Sequence, residues 1–182
     1  MRARKVKGLN PNKPLSENGA RIVSVRLREL CSFAEEARDP DEARAQHDMR
    51  IAAKRLRYVL ELLEPCFSDV AREAAKEARR LQDLLGDIHD CDEMLPRAHA
   101  HLATLRERDA QAVTASSGLA KDLEPRSVGA APNRAHYQGI ESLITYVTAR
   151  RAVLHGGLVR KLDRLELNGL AKRLREEVRD AS

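Results

Sequence analysis

Tryptophan is absent from the 182 residues, and only two Phe and three Tyr are present. A chain this poor in rings lacks the stacking surface that usually holds single-stranded nucleic acid. Cysteine is scarce as well. Cys31, Cys66 and Cys91 are odd in number and contain no Cys-x-x-Cys pair, so neither a disulfide framework nor a zinc ribbon is indicated. They read as small buried hydrophobes in a reducing compartment. No apolar run approaches the roughly 20 residues that cross a bilayer, and the basic N-terminus is not followed by an apolar signal region. The expectation is a cytoplasmic protein with no membrane partner.

What is abundant is Ala, Leu, Arg and Glu, the composition of packed helices. The length suits one domain with a real core, so the expected fold is all-α, a bundle of about five to six helices. The formal net charge is +5, but its distribution carries the information. Arg2, Arg4, Lys5, Lys7 and Lys13 fall in the first 14 residues with no acid among them, leaving 28 basic against 28 acidic residues in the remainder. Residues 1–14 are therefore expected to form a flexible basic arm, and 15–182 a single helical domain. Any anion site in that domain must come from local segregation of charge.

Apolar spacing places the helices. Ser16 reads as the N-cap of a first helix with Ile22, Val23, Leu27, Leu30 and Phe33 on one side. Asp39-Pro40-Asp41-Glu42 opens a second that runs to Glu64 and stops at Pro65. Ser68 caps a third, with a break or kink expected at Gly86 and Pro96. From about 115 to 134 Ser, Gly, Pro and small residues predict a mobile connection. A last helical region begins near Ala135, with Tyr137, Ile140, Leu143, Ile144, Val147, Val153, Leu154 and Leu158 as apolar positions. Gly156-Gly157 weakens it, and Asn168-Gly169 divides it from a short final helix ending near Val178.

Residues 47–58, HDMRIAAKRLRY, sort at helical spacing into an apolar face and a basic one. At about 100° per residue His47, Arg50, Lys54 and Arg57 share one side, while Met49, Ala52, Ala53, Leu56, Val59, Leu60 and Leu63 share the other. Four Lys or Arg stand against Asp48 alone, an imbalance that favours an anion over a simple solvated face. Arg offers a planar fork matched to phosphate oxygens, Lys a movable charge, and His a donor whose charge rises near neutral pH. Arg55 projects away from the row. Arg72, Lys76, Arg79 and Arg80 make a second basic strip, alternating with Glu73 and Glu77 that could pair with it. An acidic row, Asp83, Asp87 and Asp90, would neutralise Arg50 or Arg57 if it faced them. Arg150, Arg151, Arg160, Lys161 and Arg164 extend the basic character towards the C-terminus.

HDMRIAAKRLRYVLELLEP at 47–65, followed by RRLQDLLGDIHDCDEML at 79–95, resembles the CHAD domain, a helical family named after its histidines. The resemblance implies an α-helical bundle that binds inorganic polyphosphate through basic helix faces, without catalysis or a cofactor. Enzymes of polyphosphate or triphosphate metabolism are the associated partners. Carried over position by position, it implies polyphosphate-binding roles for His47, Arg50, Lys54, Arg55 and Arg57, and for Arg79, Arg80 and His89. Family members usually hold two related helical halves, whereas this chain contains one copy of the motif pair. A homodimer would supply the second copy by symmetry.

Two other functions compete. His47-Asp48 and His89-Asp90 could belong to a metal-dependent phosphohydrolase of the HD type, although neighbouring helical residues point about 100° apart and each pair would need further ligands. Nonspecific nucleic-acid binding would also follow from a basic helix and a basic arm.

Overall fold

The computed structural model describes residues 3–118 and 121–180. Arg2 of the expected arm, and 119–120 of the expected connection, lie outside the described residues. The fold is all-α, as composition indicates: five α-helices and three short 3-10 turns, with no strand among the described residues. No helix is long and apolar enough to cross a membrane, again among the described residues. The chain forms two compact units, Met1–His89 with Ala152–Ser182, and Asp90–Arg151.

In the first unit, helix α1 spans Leu15–Cys31. Its N-cap is Pro14, at φ −53° and ψ 151°, and no side chain caps it, so Ser16 lies inside the first turn rather than before it. Proline starts the helix early because its fixed φ suits the entry to a helix and it has no N–H to satisfy. Asn18 organises the approach instead, donating to the Asn10 carbonyl at 2.8 Å and accepting the Asn10 N–H at 2.9 Å. Further towards the N-terminus the chain is held by Arg4, whose N–H reaches Glu29 at 3.2 Å.

Helix α2 covers Ala43–Leu62, starting just after the predicted Asp39–Glu42 opening and ending two residues before Glu64. Its small Ala52 and Ala53 and its larger Met49, Leu56 and Leu60 are buried, the face that the spacing predicts. A 3-10 turn at Glu64–Cys66 reverses the chain into α3, Asp69–Ser116. Ser68 caps α3 as expected, its hydroxyl accepting the Val70 N–H at 3.2 Å. Gly19 lets the reversal pack close to α1, since a Cβ there would lie 2.8 Å from Leu63 Cδ1. The core joins Val23 and Leu27 of α1, the α2 residues, Leu81, Leu85 and Ile88 of α3, Leu158 and Leu162 of α4 and Leu174 of α5.

The sequence allows one bent helix or two here, and α3 is a single helix through Gly86 and Pro96. Glycine and proline weaken a helix without forbidding it, and forty-eight residues supply many flanking turns to hold each site. The same holds for Gly156-Gly157 within α4, Arg134–Leu167. Gly169, at φ +60°, ends that helix in the left-handed conformation before α5, Leu170–Asp180. Two further expectations need correcting. Leu143 and Val153, expected as apolar positions of the last helical region, are instead 42% and 71% exposed. Cys31 and Cys66 are only half-buried, whereas Cys91 is buried.

The second unit pairs the later part of α3 with the earlier part of α4, with Leu102, Leu105 and Val147 buried. The expected connection contains a 3-10 turn at Pro125–Ala130. Its end is fastened by buried Asp109, which accepts the Asn133 backbone N–H at 3.0 Å, the Asn133 amide at 2.8 Å and the Tyr137 hydroxyl. Burial pushes the Asp109 carboxyl up, but these donors outweigh it and hold it below the usual carboxylate range. The same bond to Asp109 raises the Tyr137 hydroxyl.

Candidate anion-binding seam

The reversal at 63–68 makes α2 and α3 antiparallel neighbours, and three contacts fix their register. The His47 and His89 rings stand 4.7 Å apart, tilted by 51°. Opposite Arg50 is Gly86, where a Cβ would lie 3.6 Å from the guanidinium Nε. At the other end Arg72 donates to Glu64 at 2.9 Å. This register sets Lys54 level with Gln82 and Arg57 level with Arg79. Helical rise then gives the seam from His47 to Arg57 a length of about 15 Å.

The α2 side of the seam carries the predicted row. Arg50, Arg57 and His47 are half-buried and Lys54 is exposed. Arg50 and Lys54 form no ion pair among the described residues. The Arg57 guanidinium lies 4.4 Å over the Tyr58 ring, and its Nε is 3.6 Å from the Glu61 carboxylate, an ion pair too long for a hydrogen bond. Lys54 Nζ stands 5.8 Å from the same ring. Asp83, Asp87 and Asp90 do not neutralise this row, since neither Arg50 nor Arg57 pairs with them among the described residues. They follow Gln82, Gly86 and His89 by one residue each, which turns them roughly 100° away on α3.

Hydrogen bonding is unfinished along this line. His47 Nδ1, Arg50 Nε, Arg57 Nε and Gln82 Oε1 are buried and have no hydrogen-bond partner among the described residues. Folded proteins pair nearly all their buried polar atoms, so four such atoms on one seam are unusual. Both Arg Nε–H groups are donors, and an oxyanion would satisfy them.

The other predicted residues are placed differently. Arg55 faces the buried carboxylate of Glu29 at 2.9 Å, beside Arg26 at 2.8 Å. Arg79 is exposed and lines a cleft of about 140 Å³ with Glu61, Glu64, Arg72 and Lys76. Arg80 pairs with Glu77 at 2.5 Å, and Glu77 also receives Lys161 at 2.5 Å. Burial raises the Glu77 carboxyl, but these two cations overcome it and hold it low. Further along the chain Arg151 pairs with Asp92 at 2.5 Å, and Arg150 donates to Cys91 Sγ at 3.4 Å. His47, Arg50, Lys54, Arg57, Arg79 and His89 are thus brought together, while Arg55 and Arg80 are held by carboxylates.

Two seam residues escaped the sequence reading: Gln82 and Gly86. The signal was available, because Arg79, Gln82, Gly86 and His89 repeat on α3 the three-four-three spacing of His47, Arg50, Lys54 and Arg57. Being uncharged, the middle pair drew no notice. The paired histidines bring two imidazoles together, and among the described residues no three or more His, Cys, Asp or Glu side chains form a group that could hold a metal ion.

Comparison with protein families matches the CHAD domain over residues 3–99. The match takes in α1, α2, the seam and more than half the chain, so the chain belongs to the CHAD domain family. No curated protein and no solved structure was found to match.

Proposed function

We propose that this CHAD-domain chain binds inorganic polyphosphate along the α2–α3 seam, as a non-catalytic module. The observation that carries the reading is the row His47, Arg50, Lys54 and Arg57, with its buried donors left without acceptors. A chain of phosphates offers acceptors in a line, which is the pattern in which the donors stand. Arg79 and His89 contribute from α3. Arg80 and the basic arm add long-range attraction rather than fixed contacts. Family membership supports the ligand class, and polyphosphate- or triphosphate-metabolising enzymes are the partners it suggests. A homodimer would double the number of seams and so the avidity for a long chain.

Each charge-assisted hydrogen bond contributes on the order of 1.5 to 3 kcal/mol before desolvation and ordering costs. Several such bonds to one polyanion give binding that falls steeply with salt. The test is competition at matched phosphate concentration, with labelled long-chain polyphosphate displaced by unlabelled polyphosphate or by duplex DNA. A narrow seam between packed helices admits the thin flexible chain and not a duplex. Polyphosphate should therefore compete at least tenfold better, and equal competition would reduce the site to a nonspecific basic surface.

A further inference from the structure

Gln82 is the one amide among the four seam residues with unsatisfied buried atoms. It sits level with Lys54, between the positions of Arg50 and Arg57, and its Oε1 is buried without a donor. An acceptor placed among cations would ordinarily take a hydrogen bond from one of them. Instead Arg50 Nε and Arg57 Nε are unbonded as well, so the seam's own groups do not satisfy one another.

The chemistry of the amide resolves this. A glutamine carries an acceptor on one side and two N–H donors on the other, and half a turn about its last torsion exchanges them. With an oxyanion in the seam, the amide N–H faces the ligand and the carbonyl turns away. A neutral donor is well suited to this position. A fourth cation here would repel Arg50, Lys54 and Arg57 in the free protein, whereas an amide adds a hydrogen bond without adding charge.

We propose that Gln82 is a ligand-contacting residue, donating its amide N–H to a phosphate oxygen between the oxygens held by Arg50 and Arg57. The proposal rests on the polyphosphate reading of the seam and adds a contact to it that charge cannot supply. Its signature follows from that distinction. Removing a charged contact lowers both the affinity and its salt dependence, since fewer counterions are exchanged. Removing a neutral hydrogen bond lowers the affinity alone.

The experiment is titration of long-chain polyphosphate at a series of salt concentrations against wild type, Gln82→Leu, Gln82→Glu and Arg50→Ala, with thermal unfolding of each. Gln82→Leu should weaken binding about 3- to 10-fold, the loss of one ordinary hydrogen bond, with an unchanged slope of log affinity against log salt. Gln82→Glu, nearly identical in shape, should weaken it further by placing a carboxylate against the phosphates. Arg50→Ala should lower affinity and slope together. If both Gln82 variants bind like wild type while Arg50→Ala loses binding, Gln82 makes no contact and the polyphosphate reading stands without it. A wild-type protein that does not bind would overturn both. A Gln82→Leu variant that loses affinity only in proportion to lost helicity would assign Gln82 to the fold.

Discussion

Arg55 and Arg57 stand two positions apart on α2 and serve different neighbours. Arg55 turns towards α1, where Glu29 is fully buried and accepts from Arg55, Arg26 and the Arg4 backbone. Deleting one partner of a buried carboxylate leaves charge in a medium that cannot solvate it, at a cost of about 3 to 5 kcal/mol when no second cation is present. Since Arg26 remains, Arg55→Ala should cost roughly 1 to 3 kcal/mol in urea unfolding. Its polyphosphate affinity should fall less than that of Arg50→Ala. Arg57 turns instead to the seam, where the Glu61 carboxylate 3.6 Å away competes with any bound anion. Glu61→Gln should tighten polyphosphate binding several-fold in the same titration, and weaker binding would mean that Glu61 positions Arg57 rather than opposing its ligand. The row itself was legible from spacing alone, because His47, Arg50, Lys54 and Arg57 fall on one face with few acids beside them. The role of Arg55 was only half legible. Its departure from the row could be read from the 100° step, but the buried Glu29 that receives it depends on how α1 packs on α2.

At the scale of elements, the helices followed apolar periodicity closely and their ends followed local chemistry less well. Pro14 displaced Ser16 as the start of α1 because backbone constraint came two residues earlier than the hydroxyl. Whether α3 would be one helix or two was not legible, since glycine and proline report a local preference whereas the neighbouring turns decide the outcome. Nor was Gln82, whose importance appears only when α2 and α3 are set in register. The pairing of the later α3 with the earlier α4 includes one buried acid, Asp109, which gives it a pH signature. Asp109 titrates below its unfolded value of roughly 3.9. Its contribution is therefore complete above that value and is lost as pH falls through the lower folded value. Tyr137 titrates above its usual value, so its contribution is complete below about pH 10 and is lost as pH rises through the higher folded value. Amide exchange in 102–109 and 137–147 should show wild type better protected than Asp109→Asn by a constant margin between about pH 5 and 9. That margin should shrink below pH 4. A margin independent of pH would mean that Asp109 acts through shape and not through its charge.

For the whole molecule, net charge was a poor guide and its segregation a good one. Beyond the arm the sequence is formally neutral, yet carboxylates and cations are sorted in space. Glu29, Glu77, Asp92 and Asp163 bind Arg55, Arg80, Arg151 and Arg38 respectively. Arg50 and Lys54 are left without ion pairs among the described residues. This pairing elsewhere leaves the α2 side of the seam with cations that no carboxylate holds. The measurement that tests the account most directly is titration of labelled long-chain polyphosphate at low and physiological salt, comparing wild type with the Arg50→Ala/Lys54→Ala/Arg57→Ala variant. The account predicts tight, salt-sensitive binding by wild type, and a loss of at least 100-fold in the variant with helicity by circular dichroism unchanged. Equal binding by the two proteins would contradict it and move the site to the arm or to the C-terminal helices.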